Sequence, residues 1–117
     1  MPRILIVDDD PRFCRAVQIA LGSRDFEVLD APDGQTALDS IAADVPDLVV
    51  LDWNMPGMNG IQTCRALRER SQVPVIMVSA DRSNLREAAL QAGANDYLRK
   101  PFSCRDLLTH ILSALNG

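Results

Sequence analysis

The chain has 117 residues, with 16 acidic and 12 basic side chains and a net charge of −4. This length suits one domain with its own core, and an apolar content of 47% argues against disorder. The sequence shows no signal peptide, no run near the ~20 apolar residues of a membrane span and no basic stripe for nucleic acid. We therefore expect a single domain over residues 1–117, in the cytoplasm, with no direct contact to membrane or nucleic acid.

Five short runs of branched apolar residues predict five strands. They cover residues 4–7, 26–29, 48–51, 75–78 and 95–98. Between them, apolar side chains recur at a helical period. These faces run over residues 13–21, 37–42, 61–67, 85–92 and 107–115. The alternation predicts an α/β fold of the type (βα)5, a doubly wound, five-stranded parallel sheet with helices on both faces.

Residues at the carboxyl ends of the strands carry the chemistry, because ligands of open α/β sheets bind there. Asp8 and Asp9 follow the first strand, Asp52 ends the third, Ser79 the fourth and Lys100 the fifth. If the first and third strands are neighbours, the carboxylates crowd. Like charges ~4 Å apart repel by roughly 4 kcal/mol at an effective dielectric near 20. A hard divalent cation and the lysine would offset this repulsion, and together they would hold a dianionic phosphoryl group.

Four motifs in this order resemble the receiver domain of bacterial two-component response regulators, over essentially the whole chain. They are Asp8-Asp9, Asp52 within Leu-Asp-Trp-Asn-Met-Pro-Gly, Ser79-Ala80 and Lys100-Pro101-Phe102. Each motif alone is weak, but all four at this spacing are specific. The resemblance implies the flavodoxin-like receiver fold with strand order 2-1-3-4-5 and a cis Lys100-Pro101 bond. It also implies a signalling module that phosphorylates itself from phosphodonors and loses the group slowly, without being a turnover enzyme.

The resemblance also implies a phosphoryl-transfer site with a bound metal ion. Asp52 would be the phosphoacceptor, which attacks a phosphohistidine on a sensor histidine kinase or a histidine phosphotransfer protein. The side chains of Asp9 and Asp52 and the backbone carbonyl of Asn54 would bind Mg2+, with Mn2+ as a possible substitute. Asp8 would act largely through a metal-bound water.

The remaining positions would stabilise the phosphoryl group and transmit the signal. Lys100 would pair with the phosphoryl oxygens, and Ser79 would donate its hydroxyl to them. Asn54 and Asp81 occupy positions that tune hydrolysis of the acyl phosphate. Tyr97 resembles the family's aromatic residue that turns inward on activation. The fourth helix, fifth strand and fifth helix would then change and contact a downstream effector, with the chain as a monomer or a phosphorylation-promoted homodimer.

Three other functions compete with this interpretation. A small Mg2+-dependent phosphatase would use an Asp-x-Asp pair, and Asp8 and Asp10 have that spacing, although Arg12 stands where a hydroxyl is usual. A flavodoxin-like small-molecule module would want hydroxyls after the first strand, where this chain has acids. A degenerate receiver would have lost an acid or the lysine, and this chain retains them.

The output of the signal is less well specified by the sequence. Residues 93–97 and 100–102 look somewhat like receivers attached to winged-helix DNA-binding domains. Asn95 stands where an aspartate is common in that subfamily's dimer face, and His110 where an arginine is common. These two departures put the ion pairs of that dimer in doubt, and the chain is as compatible with a stand-alone receiver as with an excised module.

Overall fold

In a computed structural model that describes residues 1–116, five strands alternate with five helices, as predicted. The strands are β1 (Arg3–Val7), β2 (Glu27–Ala31), β3 (Leu48–Asp52), β4 (Val75–Ser79) and β5 (Asp96–Arg99). The helices are α1 (Pro11–Gly22), α2 (Gly34–Ala43), α3 (Gly60–Arg68), α4 (Arg86–Gln91) and α5 (Cys104–Asn116). The domain predicted over residues 1–117 includes Gly117, which lies outside the described residues. No helix among residues 1–116 is long and apolar enough to cross a membrane.

All five strands form one parallel sheet in the order β2-β1-β3-β4-β5, which confirms the order implied by the resemblance. The register aligns Val7 of β1 with Leu51 of β3 and Ser79 of β4 with Arg99 of β5. Because the strands are parallel and in register, their carboxyl ends meet at one edge. The residue after β1 therefore lies beside the last residue of β3.

The apolar runs are explained by burial on both faces of the sheet. Every residue of β3 and β4 is buried. One cluster packs strand residues such as Leu51 and Met77 against α2, α3 and α4. The other packs residues such as Ile6 and Val50 against α1 and α5. The central strands are thus fixed from both sides, and they position the residues at their ends.

The strand boundaries differ from prediction by one or two residues. β2 begins at Glu27, because the N–H of Phe26 donates to Leu21 O at 3.3 Å and closes the end of α1 instead of pairing in the sheet. β5 begins at Asp96, because the side chain of Asn95 accepts from the backbone N–H of Val75 at 2.8 Å. α4 is shorter than the apolar face over residues 85–92.

Candidate functional site

Three carboxylates meet at the carboxyl edge of the sheet. Asp8 follows β1 and Asp52 ends β3, so strand pairing sets them side by side. With Asp9, each offers one carboxylate oxygen, and these oxygens all lie within 4.8 Å of one another. Asp8 is 3% exposed and Asp52 6% exposed, whereas Asp9 faces solvent. The predicted acidic cluster is therefore brought together, with two of its charges taken out of water.

Lys100 reaches this cluster from the end of β5. Its Nζ lies 2.8 Å from Oδ2 of Asp8 and 3.7 Å from Oδ1 of Asp52. The other oxygen of Asp8 accepts the backbone N–H of Asp10 at 2.9 Å. The Lys100-Pro101 peptide bond is cis, as the resemblance implied. One ammonium thus lies against two of the three carboxylates, and the site retains a surplus of negative charge when all three are ionised.

Both burial and this surplus of charge affect the pKa of Asp52. Burial, followed by the charge of Asp8, raises the pKa of Asp52 from 3.8 to about 6, against the opposing influence of Lys100. A hydrogen bond from the backbone N–H of Asn54 also works against the shift. A buried carboxylate with a raised pKa next to other acids is typical of a functional site, because a purely structural position would normally be better compensated.

The hydroxyl predicted for the site lies at the end of β4. Ser79 is fully buried, and its Oγ accepts the backbone N–H of Asp81 at 3.0 Å. Asp81 and Asn54 are both exposed. The carboxylate of Asp81 accepts the N–H of Ser83 at 2.8 Å, and this bond lowers the pKa of Asp81 below its usual value. The Ser79 hydroxyl therefore holds the start of the β4–α4 loop.

Tyr97 points into the protein from β5. The residue is 8% exposed and packs in the cluster under α4, together with Ala89 and Met77. Within residues 1–116 its hydroxyl is the one buried side-chain polar atom without a hydrogen-bond partner. The Tyr97 side chain is thus buried in this structure, and its change of orientation on activation stays a prediction.

Two aromatic rings lie beside the lysine: Phe102 belongs to the Lys100-Pro101-Phe102 motif, whereas the sequence did not place Phe13 at the site. Phe13 of α1 was assigned only to a helix-packing face, yet Nζ of Lys100 lies 4.2 Å from the centroid of its ring, within range of a cation–π interaction. Phe102 meets Phe13 edge to face, with ring centroids 6.0 Å apart. These residues, with Ala80 and Pro101, line a largely apolar cavity of about 480 Å³ next to the carboxylates.

Gly60 is a second residue that the sequence did not single out. A Cβ at this position would lie 2.5 Å from the carbonyl oxygen of Asp52 and 2.8 Å from Cα of Trp53. The Gly60 N–H donates to Trp53 O at 2.9 Å. The absence of a side chain therefore lets the start of α3 support the end of β3 directly under the acidic cluster.

His110 also has a role that the sequence left open. Its Nδ1 is hydrogen-bonded to Oδ2 of Asp96, and Arg86 lies 3.4 Å from Oδ1 of the same carboxylate. Burial would raise the pKa of Asp96, but the bonds from His110 and from the N–H of Tyr97 outweigh it, so the pKa lies below 3.8. Asp96 thus joins α4, β5 and α5 within one molecule.

The donor set of the acidic cluster fits a hard divalent cation. All three residues offer carboxylate oxygens, the ligand type that magnesium and calcium prefer, and the cluster has more negative charge than Lys100 neutralises. Softer ions prefer sulfur or imidazole ligands. Among the described residues, the single histidine binds Asp96, and Cys14 Sγ lies 3.7 Å from the backbone carbonyl of Asp8. The site thus favours Mg2+-like ions.

Comparison with known proteins agrees with this geometry. The family model "Response regulator receiver domain" matches residues 4–112. The chain is 40% identical to "DNA-binding response regulator MtrA" of Mycolicibacterium smegmatis over 97% of its own length, and 42% identical to "Transcriptional regulatory protein CseB" of Streptomyces coelicolor over 96%. It covers 50% and 48% of these proteins, so the chain spans about half the length of the curated relatives it matches.

Solved structures show the same likeness. The receiver domain of the Francisella response regulator 1452 superposes with a TM-score of 0.93 at 31% identity, covering 99% of this chain and 98% of that one. The BeF3-activated N-terminal receiver domain of Klebsiella pneumoniae RstA gives a TM-score of 0.92 at 34% identity, covering 98% and 99%. This chain belongs to the response regulator receiver domain family. The family is regulatory, and the phosphatase alternative receives no support.

Proposed function

We propose that the chain accepts a phosphoryl group on Asp52 from a phosphohistidine of a sensor histidine kinase or a histidine phosphotransfer protein. The observation that carries this assignment is the geometry of one carboxylate. Asp52 is buried at the end of a central strand, 3.7 Å from the ammonium of Lys100 and next to two further acids. A carboxylate in that position is a nucleophile whose surroundings are already organised for a phosphoryl group.

In the transfer step, a carboxylate oxygen of Asp52 bonds to phosphorus as the bond from phosphorus to the histidine nitrogen breaks, and the electron pair leaves with the imidazole. Asp9, Asp52 and the backbone carbonyl of Asn54 would hold Mg2+, which neutralises phosphoryl charge when bound. Mn2+ has the same ligand preference and would substitute. Both oxygens of Asp8 are engaged, by Lys100 and by the N–H of Asp10, which supports an indirect, water-mediated role for Asp8.

Lys100 and Ser79 would stabilise the product. The ammonium of Lys100 lies between Asp8 and Asp52, so a short movement brings it to the phosphoryl oxygens. The Ser79 hydroxyl would donate to the same group and draw the β4–α4 loop with it, because the N–H of Asp81 is bonded to this oxygen. Tyr97, inward in this structure, would be stabilised in that position, and the surface formed by α4, β5 and α5 would change.

Slow loss of the phosphoryl group would complete the cycle without turnover of a separate substrate. Asn54 and Asp81 are exposed, two residues beyond the acceptor and the hydroxyl. From there they would control how a water molecule approaches the acyl phosphate. We therefore assign them to hydrolysis tuning, and we assign regulation, not enzymatic turnover, to the domain.

The partners follow from the relatives, whose names describe DNA-binding and transcriptional regulators about twice as long as this chain. We propose a cytoplasmic module that receives phosphoryl groups from a kinase and signals to an effector domain or protein, as a monomer or as a phosphorylation-promoted homodimer. Direct nucleic-acid contact would belong to the effector, because this chain has a net charge of −4.

The test is incubation of the purified chain with Mg2+ and acetyl phosphate or phosphoramidate, followed by mass spectrometry. We expect a base-labile adduct of one phosphoryl group that disappears in Asp52→Ala and when the metal is chelated, and that Mn2+ restores. Asp10→Ala is the matched control, since Asp10 caps α1 beside the cluster without belonging to it. An adduct that persists in Asp52→Ala, or no adduct in the unaltered chain, would contradict the proposal.

A further inference from the structure

One side chain, that of Arg68 at the end of α3, forms hydrogen bonds to the turn that follows α4. Its Nε donates to Gly93 O at 2.8 Å, its Nη2 to Asn95 Oδ1 at 2.9 Å and its Nη1 to Ser71 O at 3.2 Å. Gly93 and Asn95 lie 25 and 27 positions further along the chain, in the turn between α4 and β5. Hydrogen bonds from a charged donor are roughly twice as strong as neutral ones, so this tie is substantial.

Asn95 connects the same turn to the sheet. Its Oδ1 also accepts the N–H of Val75, and its own N–H donates to Val75 O, both at 2.8 Å. Gly93 has a φ of +108°, and a Cβ there would lie 2.6 Å from Cγ of Arg68. The backbone conformation and the packed arginine stem both require glycine. The turn is thus held by α3 and by β4 at once.

The opposite end of α4 is held more weakly: among residues 1–116, its one ion pair to the sheet joins Arg86 to Asp96 of β5 at 3.4 Å. The N-cap is Leu85, which makes no side-chain capping bond. In this loop the N–H of Asp81 is bonded to Ser79 Oγ, at the end of β4. The remaining side-chain bonds join Asp81 to Ser83 and Asn84 to Arg86, each two positions apart, so they connect the loop only to itself and to α4. In that pair the Arg86 side chain is 54% exposed and the Asp96 side chain 20% exposed, so solvent screens the arginine and the pair contributes modestly.

We propose that Arg68 is a positioning residue that makes the C-terminal end of α4 the fixed pivot of the switch. Phosphorylation would then displace the β4–α4 loop and the first turn of α4, while residues 92–95 keep their places. The direction of movement rests on the proposed function, because the pull on the loop starts at Ser79. The anchoring rests only on the contacts of Arg68.

The anchoring is tested in the unmodified chain by amide hydrogen exchange. In Arg68→Gln we expect exchange at Ala92, Gly93 and Ala94 to accelerate about tenfold or more, because two charge-assisted bonds to the turn are lost. Arg68→Lys keeps the positive charge but has fewer hydrogen-bond donors, so exchange should accelerate less than in Arg68→Gln. This graded result would distinguish loss of the hydrogen bonds from general misfolding. Arg65→Gln, on the same helix and exposed, should exchange like the unaltered chain. Unchanged exchange in Arg68→Gln would overturn the anchor.

The pivot is tested by comparing amide shifts with and without beryllofluoride and Mg2+. In the unaltered chain, shift changes within the α4 region should concentrate at residues 80–87 and be small at residues 92–95. In Arg68→Gln they should extend through residues 92–95. Equal changes at both ends of α4 in the unaltered chain would overturn the pivot, provided that Asp52 is phosphorylated normally. Failure of phosphorylation would refute the proposed function and leave the exchange result standing.

Discussion

Charged side chains are placed differently at the two ends of the strands. The amino ends of the strands (the amino edge) carry surface ion pairs, and the carboxyl ends (the carboxyl edge) carry the partly buried acidic cluster. At the amino edge, Arg3 binds Asp44 at 2.5 Å, its backbone N–H donates to Asp47 at 2.7 Å, and Glu27 lies 3.5 Å from its Nε. These carboxylates sit at the surface, where water also solvates them. At the carboxyl edge, Asp8 and Asp52 are buried, and one lysine serves both.

This difference indicates that the charges of the amino edge contribute to stability and those of the carboxyl edge to function. The ion pairs of the amino edge connect β1 to the α2–β3 segment and to β2, and surface pairs of this kind contribute modestly to folding. The carboxyl edge concentrates like charges that repel one another, and the single charge of Lys100 offsets this repulsion only in part. Removing a charge at one edge should therefore cost stability, whereas at the other it should cost activity.

The largest effect should come from Lys100→Gln. It removes the ammonium that lies 2.8 Å from Asp8 and 3.7 Å from Asp52, so product stabilisation is lost and burial of the acids is less compensated. We expect phosphorylation by acetyl phosphate to slow by about 100-fold, the usual scale for one lost electrostatic contact in a site. The rate is measured by quenched-flow mass spectrometry. Arg99→Gln, the exposed neighbour, is the control, and an equal loss there would refute a specific role.

Next in size is the effect of Asp52→Asn on stability without metal. The folded-state pKa of about 6 lies above the ordinary 3.8, so folding favours the protonated carboxyl. Its favourable contribution is present below pH 3.8 and is lost as the pH rises through about 6. At pH 7, Asp52→Asn should therefore raise the free energy of unfolding by about 1–3 kcal/mol.

Chemical denaturation between pH 4 and pH 8 measures this effect. The variant should lack the decline in stability that the unaltered chain shows between pH 4 and pH 7. Saturating Mg2+ should stabilise the unaltered chain more than the variant, because bound metal favours the ionised carboxylate. Asp39→Asn, an exposed change on α2, should leave the decline in place. A variant no more stable than the unaltered chain at pH 7 would argue against uncompensated charge at this edge.

Much of this contrast was predictable from the sequence. The positions of Asp8, Asp52, Ser79 and Lys100 after apolar runs placed them together, because parallel strands bring their carboxyl ends to one edge. The strand order itself came from the resemblance, since right-handed crossovers permit several arrangements.

The supporting contacts could not be predicted, because they depend on distances across the fold. Phe13 has the spacing of an ordinary core residue, and only the structure sets its ring under Lys100. In the sequence Gly60 cannot be distinguished from an ordinary loop glycine, because its requirement arises only from its close approach to the end of β3. Arg68 and Asn95 lie 27 positions apart, and neither has a local signal for their hydrogen bond.

A smaller effect is expected at the amino edge from Arg3→Ala. The substitution removes the pairs to Asp44 and Glu27, and it should lower the free energy of unfolding by about 1 kcal/mol or less, with a smaller loss at high salt. Phosphorylation should be unchanged. Denaturation at two salt concentrations measures the loss. Arg12→Ala is the control, since its side chain is 91% exposed and should contribute almost nothing. A loss of phosphorylation in Arg3→Ala would contradict the separation of the two edges.

The smallest effect concerns His110, on the face formed by α4, β5 and α5. The pKa of Asp96 lies below 3.8, so its stabilising contribution is present above that pH and is lost as the pH falls through the folded-state pKa. In His110→Gln a hydrogen bond that lowers this pKa is weakened while burial still raises it, so the pKa of Asp96 should rise. The stability change at pH 7 should be within about 0.5 kcal/mol. Carboxyl carbon NMR titration of Asp96 measures the shift, with Thr109→Ala as control. An unchanged pKa would show that Arg86 and the Tyr97 N–H hold Asp96 without the histidine.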